Sequence, residues 1–535
     1  MNVGRFLANA AEYDPGRPAF VWGDEVLSYG QADARSDSLA CALRRFGLGR
    51  EDRIGVLMPN CPQLLESMFA TWKAGGCVVP LNARFRGEEI AYHLADCRAR
   101  AVIFSEEYRE VMAAMGNRIP AVERFICVGA PLPGQLAYDE LAAAGPGPGL
   151  AGADVTGADV TGVTGVTDEG VTDEALAWLF YTSGTTGRPK GAMLTHGVLT
   201  FVSVGWVADL TPLGPDDVGL HAAPLSHGAG FHALALTMKG ATQVLLRPPR
   251  FDPENFCATV QRHRVTNTWL VPTQIKMLLN YEGLGKWDLS SLKWIVYGGS
   301  PMYVEDLREA LRRIGPVFVQ LYGQGETPMT ATCLRREDHR TEGELAARLA
   351  SCGRARSGLE VRVLGEDDRE LRRGQAGQIC VRGASVMRGY WERPEATAQT
   401  LRGGWLHTGD VGYMDGNGYV YILDRTKDMI ISGGANVYPR EVEEVLVQHP
   451  AVSEACVIGV PHEIWGEAVK AIVVPEPGAT VTGEALTRFV GERLADYKKP
   501  RSVDFVDAIP KNAYGKVLRR ELKARYWERE ARMVR

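Results

Sequence analysis

Hydrophobic and polar positions change their period element by element from the start of the chain. Ala19 to Trp22 and Val26 to Tyr29 are apolar-rich runs flanking Gly23-Asp24, the spacing of a two-residue hairpin. Arg53-Ile54-Gly55-Val56-Leu57 reads as a buried strand. The segment after it sets Leu64, Leu65, Met68, Phe69 and Trp72 on one helical face. Cys77-Val78-Val79 predicts a strand, Glu88 to Leu94 a helix and Ala101 to Phe104 another strand. Strand, helix and strand repeated in this way imply parallel pairing under a helical cover, and so an α/β architecture.

Two stretches break the pattern. Between Gly145 and Glu174 a Gly-Pro run gives way to repeated Asp-Val-Thr-Gly phrases, which predict a slack surface loop. Gly147, Gly149 and Gly152 there satisfy G-x-G-x-x-G, but no strand enters the stretch and Pro148 sits inside it, so dinucleotide binding is not expected. The second change falls near Asp424. Met429-Ile430-Ile431, a helix from about Pro439, and strands at Ala455 to Val460 and Ala471 to Val474 follow it. The domains predicted are residues 1–424 and 425–535, the latter a small α+β unit. From Lys516 to Arg535 both charges are abundant, which predicts a solvated helix.

Composition narrows the function classes. The chain has 535 residues, enough for several domains, and its net charge of −5 argues against a nucleic-acid groove. No run reaches the ~20 apolar residues of a membrane span, and the opening Met1 to Leu7 lacks the apolar core of a secretion signal. Ten scattered cysteines without a C-x-x-C pair read as buried free thiols. A reduced, cytoplasmic setting is the expectation.

The richest chemistry lies in Tyr181-Thr182-Ser183-Gly184-Thr185-Thr186-Gly187-Arg188-Pro189-Lys190-Gly191, directly after the apolar Ala177 to Phe180. Its glycines let successive backbone N–H groups face one concavity, and its hydroxyls and Lys190 add donors suited to phosphate oxygens. Pro189 precedes the lysine and no Walker A string is present, so this is a nucleotide loop of another kind or a plain Ser/Thr/Gly linker.

With five further segments, this loop resembles the adenylate-forming superfamily of acyl-CoA synthetases, carrier-protein adenylation domains and beetle luciferase, over nearly the whole chain. The loop matches that family's TSGTTGxPKG pattern. Pro224-Leu225-Ser226-His227-Gly228 is similar to the segment whose histidine lies beside the acyl group, and Tyr297-Gly298-Gly299-Ser300-Pro301 to the adenine-binding turn. Tyr322-Gly323-Gln324-Gly325-Glu326-Thr327 resembles YGxTE, with a tyrosine on adenine and a glutamate on Mg²⁺. Gly325 stands where the family usually has threonine. Asp410 matches the ribose carboxylate, Arg425 the ribose arginine and Lys427 the hinge; Ser432-Gly433-Gly434 matches the loop lining the CoA channel. Pro510-Lys511-Asn512-Ala513-Tyr514-Gly515-Lys516 resembles PKTxxGK, with Asn512 in place of threonine.

The resemblance implies a large N-terminal domain of mixed, largely parallel sheets and a small mobile C-terminal one. It implies ATP, Mg²⁺ and CoA, and acid–thiol ligation through an acyl-AMP. Lys516, His227 and Glu326 become the expected catalytic residues, with Glu326 the metal ligand. Thr182, Ser183, Gly184, Thr185, Thr186, Lys190, Gly299, Ser300, Pro301, Tyr322, Gly323, Asp410 and Arg425 are the expected nucleotide contacts. An acyl pocket is expected from His227, Gly228, Ala229, Phe231, Tyr297, Gly298 and Gly325. Gly228-Ala229-Gly230-Phe231 offers no charge for a substrate ammonium, so an amino acid is disfavoured, and the small residues suggest a roomy pocket for a long-chain or bulky apolar acid. The alternatives are an acyl-AMP ligase loading a carrier protein or running one half-reaction, and a silent acyl-adenylate-binding protein. A homodimer is compatible with all of these. No G-x-S-x-G string supports a serine hydrolase.

Overall fold

The computed structural model describes residues 1–143, 167–182, 188–248, 250–300, 302–425, 428–432, 435–462, 464–511, 517–519 and 521–526. Two large sheets dominate the described N-terminal residues. The first has seven strands in the order Leu136–Ala137, Arg124–Val128, Ala101–Ser105, Arg53–Leu57, Cys77–Leu81, Leu176–Thr182 and Lys190–Thr195. All its neighbours are parallel except the final pair. The second has nine, running from Arg354–Ala355 through Thr327–Leu334, Phe318–Gln324, Trp294–Tyr297, Asn267–Leu270, Val218–His221 and Thr242–Leu245 to Pro18–Trp22 and Glu25–Ser28. Its middle is parallel and both edges are antiparallel. The predicted hairpin pairs Trp22 with Glu25 around Gly23-Asp24.

The helix Pro62–Lys73 shows why these sheets stay together. Its stripe of Leu64, Leu65, Met68 and Phe69 packs into one core with Ile54, Val56, Val78 and Ile103. The sequence pattern implied a polar outer face, but Glu66, Ser67, Thr71 and Lys73 are buried as well. Buried charges need partners. Lys73 Nζ donates to Asp33 Oδ1 at 2.5 Å and Asp37 Oδ1 at 2.7 Å, while Arg35 Nε and the Tyr138 hydroxyl donate to Glu66 at 2.7 and 2.8 Å. The Ser67 and Thr71 hydroxyls donate to the Gln63 and Ser67 carbonyls, so ion pairs and hydrogen bonds together make this face tolerable.

A four-stranded antiparallel sheet, Leu359–Leu364, Gly377–Gly383, Leu406–Met414 and Val420–Arg425, follows the second large sheet. The chain then enters a separate sheet around the long hairpin of Val452–His462 and Gly466–Pro475, with Ile430–Ser432 and Ala435–Val437 on one side and Ser502–Phe505 added in parallel. The helices Pro439–Leu446 and Gly483–Gly491 cover one face of it through Val442, Leu446, Leu486 and Val490. The fold is therefore α/β with largely parallel major sheets and a small α+β C-terminal part.

Two expectations need correction. The described C-terminal helical residues are not simply solvated. Leu522 is buried with Cys456, Ile458, Ile472 and Ile509, and Arg519 donates to Glu443 Oε2 and the Val457 carbonyl. Apolar spacing at one face outweighed the charges around it. Residues 145–166 of the predicted slack loop lie outside the described residues, but 167–174 are anchored. Arg50 donates twice to Asp168, and Val171 is buried. All ten cysteines are free, and all but Cys41 are buried.

Candidate active site

A cavity of about 990 Å³ opens where the carboxyl ends of both parallel sheets converge. Met58 to Asn60 follow the strand Arg53–Leu57, and Asn82 to Arg84 follow Cys77–Leu81. Tyr181 and Thr182 end Leu176–Thr182. From the other sheet come Ala222 and Ala223 after Val218–His221, Val271 after Asn267–Leu270, Gly299 after Trp294–Tyr297, and Gly323 and Gln324 at the end of Phe318–Gln324. Parallel strands all release their chains at one edge, so loops from distant sequence collect there, which is where open α/β sheets bind ligands.

Glu326 lines the cavity with Glu107, and Asp410 follows the lining residue Gly409 without lining the cavity itself; Glu326 and Asp410 each accept from a phenol. Glu326 is buried at the cavity wall, and its Oε1 accepts from the Thr182 hydroxyl at 2.9 Å and the Tyr390 hydroxyl at 2.7 Å. Lys190 Nζ lies 5.0 Å from the centre of the Tyr390 ring. Beside them, Asp410 Oδ2 accepts from the Tyr322 hydroxyl and from Gln324 Nε2, each at 2.8 Å, and Gln324 also donates to the Thr408 carbonyl at 2.7 Å. Burial first, and then the adjoining carboxylate, push both phenols above the usual tyrosine range. Tyr322 and Tyr390 therefore keep their protons and act as donors.

The apolar wall includes Phe180, Trp269, Val271 and Ala229, with Gly228 and His227 beside them. The His227 ring lies 4.5 Å from that of Phe180. Four expected pocket residues sit differently. Phe231 is fully buried behind the wall, 4.9 Å from Trp178 and 5.6 Å from Phe180. Tyr297 is also fully buried, and its hydroxyl lies 3.1 Å from His339 Nε2 on the side of the second core. It ends a strand whose alternate residues point to opposite faces, and its face is the one packed under helices. At Gly298 a Cβ would stand 2.5 Å from the Leu321 carbonyl oxygen, so its smallness admits backbone rather than substrate. Gly325 does reach the cavity, yet a Cβ there would stand 2.5 Å from both Phe180 Cδ1 and Thr182 Cγ2. The room left by these two glycines is already occupied by the protein.

Other expected residues divide as follows. Ser300 follows Gly299 without lining the cavity, and Ser432 is buried in the strand Ile430–Ser432. Ser183, Gly184, Thr185, Thr186, Pro301, Lys427, Gly433, Gly434 and Lys516 lie outside the described residues, as does the side chain of Arg425.

Comparison with known proteins agrees with this geometry. The AMP-binding enzyme family model matches residues 7–391, and its C-terminal domain model matches 441–516. The chain belongs to the AMP-binding enzymes, the adenylate-forming acyl-CoA synthetase family. A feruloyl-CoA synthase from Amycolatopsis sp is 38% identical over 98% of this chain and 99% of its own. A medium/long-chain-fatty-acid–CoA ligase from Mycobacterium tuberculosis is 34% identical over 99% and 91%. The crystal structure of an anthranilate CoA ligase in complex with anthranoyl-AMP superposes with a TM-score of 0.88 at 25% identity, covering 99% of this chain and 98% of that one. This family member is an acid–thiol ligase that uses ATP, Mg²⁺ and CoA.

The residues present suit that metal. Mg²⁺ is commonly held by one or two carboxylates together with substrate phosphates, rather than by an all-protein cage. Among the described residues no group of three or more His, Cys, Asp or Glu could form such a cage. Glu326 supplies one carboxylate at the cavity, with the Thr182 and Tyr390 hydroxyls both bonded to the same oxygen. No helix among the described residues is long and apolar enough to cross a membrane.

Sequence reasoning missed Tyr390, Gln324 and Trp269. Tyr390 sits 64 positions from Glu326 and Gln324 86 from Asp410, and no local pattern marks such pairs. Gln324 was the one legible in principle, because it lies inside the same motif as Glu326.

Proposed function

We propose that this ligase activates an apolar carboxylic acid, long-chain or otherwise bulky, as its acyl-adenylate and passes the acyl group to CoA. The observation carrying this reading is the single cavity in which Glu326, Lys190 and Thr182 share a wall with Phe180, Trp269, Val271 and Ala229. An anion-binding end and an apolar end in one chamber suit a reaction between a triphosphate and a hydrophobic acid.

In the first step a carboxylate oxygen of the acid bonds to the α-phosphorus of ATP and pyrophosphate leaves. Both reactants are anions, so cations must offset their repulsion. Lys190 stands at the cavity for the phosphates, and Lys516 is assigned to bridge carboxylate and α-phosphate. Bound Mg²⁺ would supply charge neutralisation on the phosphate oxygens, held by Glu326. Asp410, pinned by Tyr322 and Gln324, would accept hydrogen bonds from the ribose, with Arg425 beside it. In the second step the CoA sulfur bonds to the acyl carbon and AMP leaves with the electron pair. Residues 425–535 would turn about Lys427 between the steps, exchanging Lys516 for the Ser432-Gly433-Gly434 loop at the site.

The acid is tested by a panel of acetate, benzoate, palmitate and a polycyclic acid, read by acyl-AMP and acyl-CoA mass. A preference for the larger apolar acids is expected, and a strong preference for acetate overturns the proposed pocket. Lys516→Ala should lower adenylate formation by ~10²–10³. An undiminished rate would remove Lys516 from the mechanism.

A further inference from the structure

Tyr390 meets both charged groups assigned to the triphosphate through its side chain. It lies beyond every motif discussed above, in Gly389-Tyr390-Trp391. Its hydroxyl donates to Glu326 Oε1 at 2.7 Å, and the face of its ring lies under Lys190 Nζ at 5.0 Å. Its own backbone is fixed. The Tyr390 N–H donates to Thr397 Oγ1 at 2.9 Å, the residue bridges to Ala192, and Trp391 N–H donates to the Gly191 carbonyl at 2.8 Å. Met387 N–H donates to the Glu326 carbonyl at 2.8 Å, and Met193 N–H to the Gly389 carbonyl at 2.8 Å. The segment 387–391 is thus stitched to the Glu326 turn and to the strand carrying Lys190.

We propose that Tyr390 is a positioning residue for the metal–triphosphate group: its hydroxyl holds Glu326 Oε1 so that Oε2 alone is offered to the metal, and its ring face holds the Lys190 ammonium. The Thr182 hydroxyl takes the same oxygen from another side, which leaves Oε1 doubly occupied. A carboxylate limited to one oxygen suits Mg²⁺, whose octahedral shell is strict, and disfavours Ca²⁺, which accepts two-oxygen carboxylates at longer distances. The aromatic face attracts the ammonium while leaving its N–H groups open to phosphate. This inference rests on the reading of Glu326 and Lys190 given under the proposed function.

The test uses the full chain with ATP and no acid, so that no turnover is needed. Calorimetry measures ATP binding at stepped Mg²⁺ and Ca²⁺ for the parent, Tyr390→Phe, Tyr390→Leu and Glu326→Gln, with melting temperatures alongside. Tyr390→Phe should raise the Mg²⁺ concentration for half-maximal binding by about tenfold and narrow the preference for Mg²⁺ over Ca²⁺. Tyr390→Leu, which also removes the ring, should further weaken ATP binding without metal, while Tyr390→Phe should not. If Glu326→Gln leaves the Mg²⁺ requirement unchanged, the metal-ligand reading itself fails. If Glu326→Gln raises that requirement and Tyr390→Phe does not, the role of Tyr390 is overturned and the metal ligand stands. A lower melting temperature with unchanged metal preference would likewise reduce Tyr390 to packing.

Discussion

Adding even a Cβ at Gly325 should be costly here. The added atom would sit 2.5 Å from Phe180 Cδ1, 2.5 Å from Thr182 Cγ2 and 2.7 Å from Phe180 Cε1. Carbon atoms prefer ~3.5–4.0 Å, so roughly 1 Å of overlap must be relieved twice. Neither neighbour yields easily. Phe180 is boxed by His227 at 4.5 Å, Phe231 at 5.6 Å and Trp178 at 6.0 Å, and the Thr182 hydroxyl is tied to Glu326. Overpacking of this kind costs about 1–3 kcal/mol. Gly325→Ala should therefore lower the denaturant midpoint of the N-terminal transition and raise the KM for ATP, because Thr182 moves with Glu326. Gly325→Thr should do more of both. Phe180→Leu removes one of the two clashes and leaves the one with Thr182, so Gly325→Ala in that background should cost about 0.5–1 kcal/mol less than in the parent, a coupling within the range for contacting residues. Tryptophan fluorescence follows the transition, since Trp178 belongs to the same cluster. Additive losses in the double variant, or an unchanged midpoint for Gly325→Ala, would refute the packing argument.

Two further expectations concern acid stability and the hinge. Burial pulls His196, His221 and His339 down to about 4. Free histidine titrates near ~6.5, so the unfolded chain binds more protons between these values. Stability should rise with pH across the window from about 4 to 6.5 and be complete above it; a denaturant midpoint unchanged between pH 5 and 6.5 would contradict this. Lys427→Pro should spare acyl-AMP formation and stop thioester formation, because proline limits the backbone rotation proposed there; equal loss of both products by mass spectrometry would argue against a hinge at that position.

The legible part of the site was local. Thr182 was identified in a loop whose residue types suit phosphate, and Glu326 through the resemblance of its segment to a family motif; the structure brings them within hydrogen-bonding distance across 144 positions. Strand order was partly legible too, since the alternating pattern from Arg53 to Phe104 requires parallel neighbours. The orientation of individual side chains was not. Phe231 and Tyr297 carry the right chemistry for an acyl pocket, but each points into packed core because of what lies against its element. The apolar face of the helix Pro62–Lys73 was legible, but the burial of Glu66, Ser67, Thr71 and Lys73 beside it was not.

Residue order by itself determined which elements form and which groups are available: strands from runs of apolar residues, tight turns from glycine, donors and carboxylates from motifs. Those properties depend on neighbours within a few positions. Tertiary structure alone decided that both sheets open their carboxyl ends onto one cavity, that Tyr390 holds Glu326 and Tyr322 holds Asp410, and that the spaces at Gly298 and Gly325 are filled. Such contacts join residues tens to hundreds of positions apart, and their geometry follows from how whole layers pack.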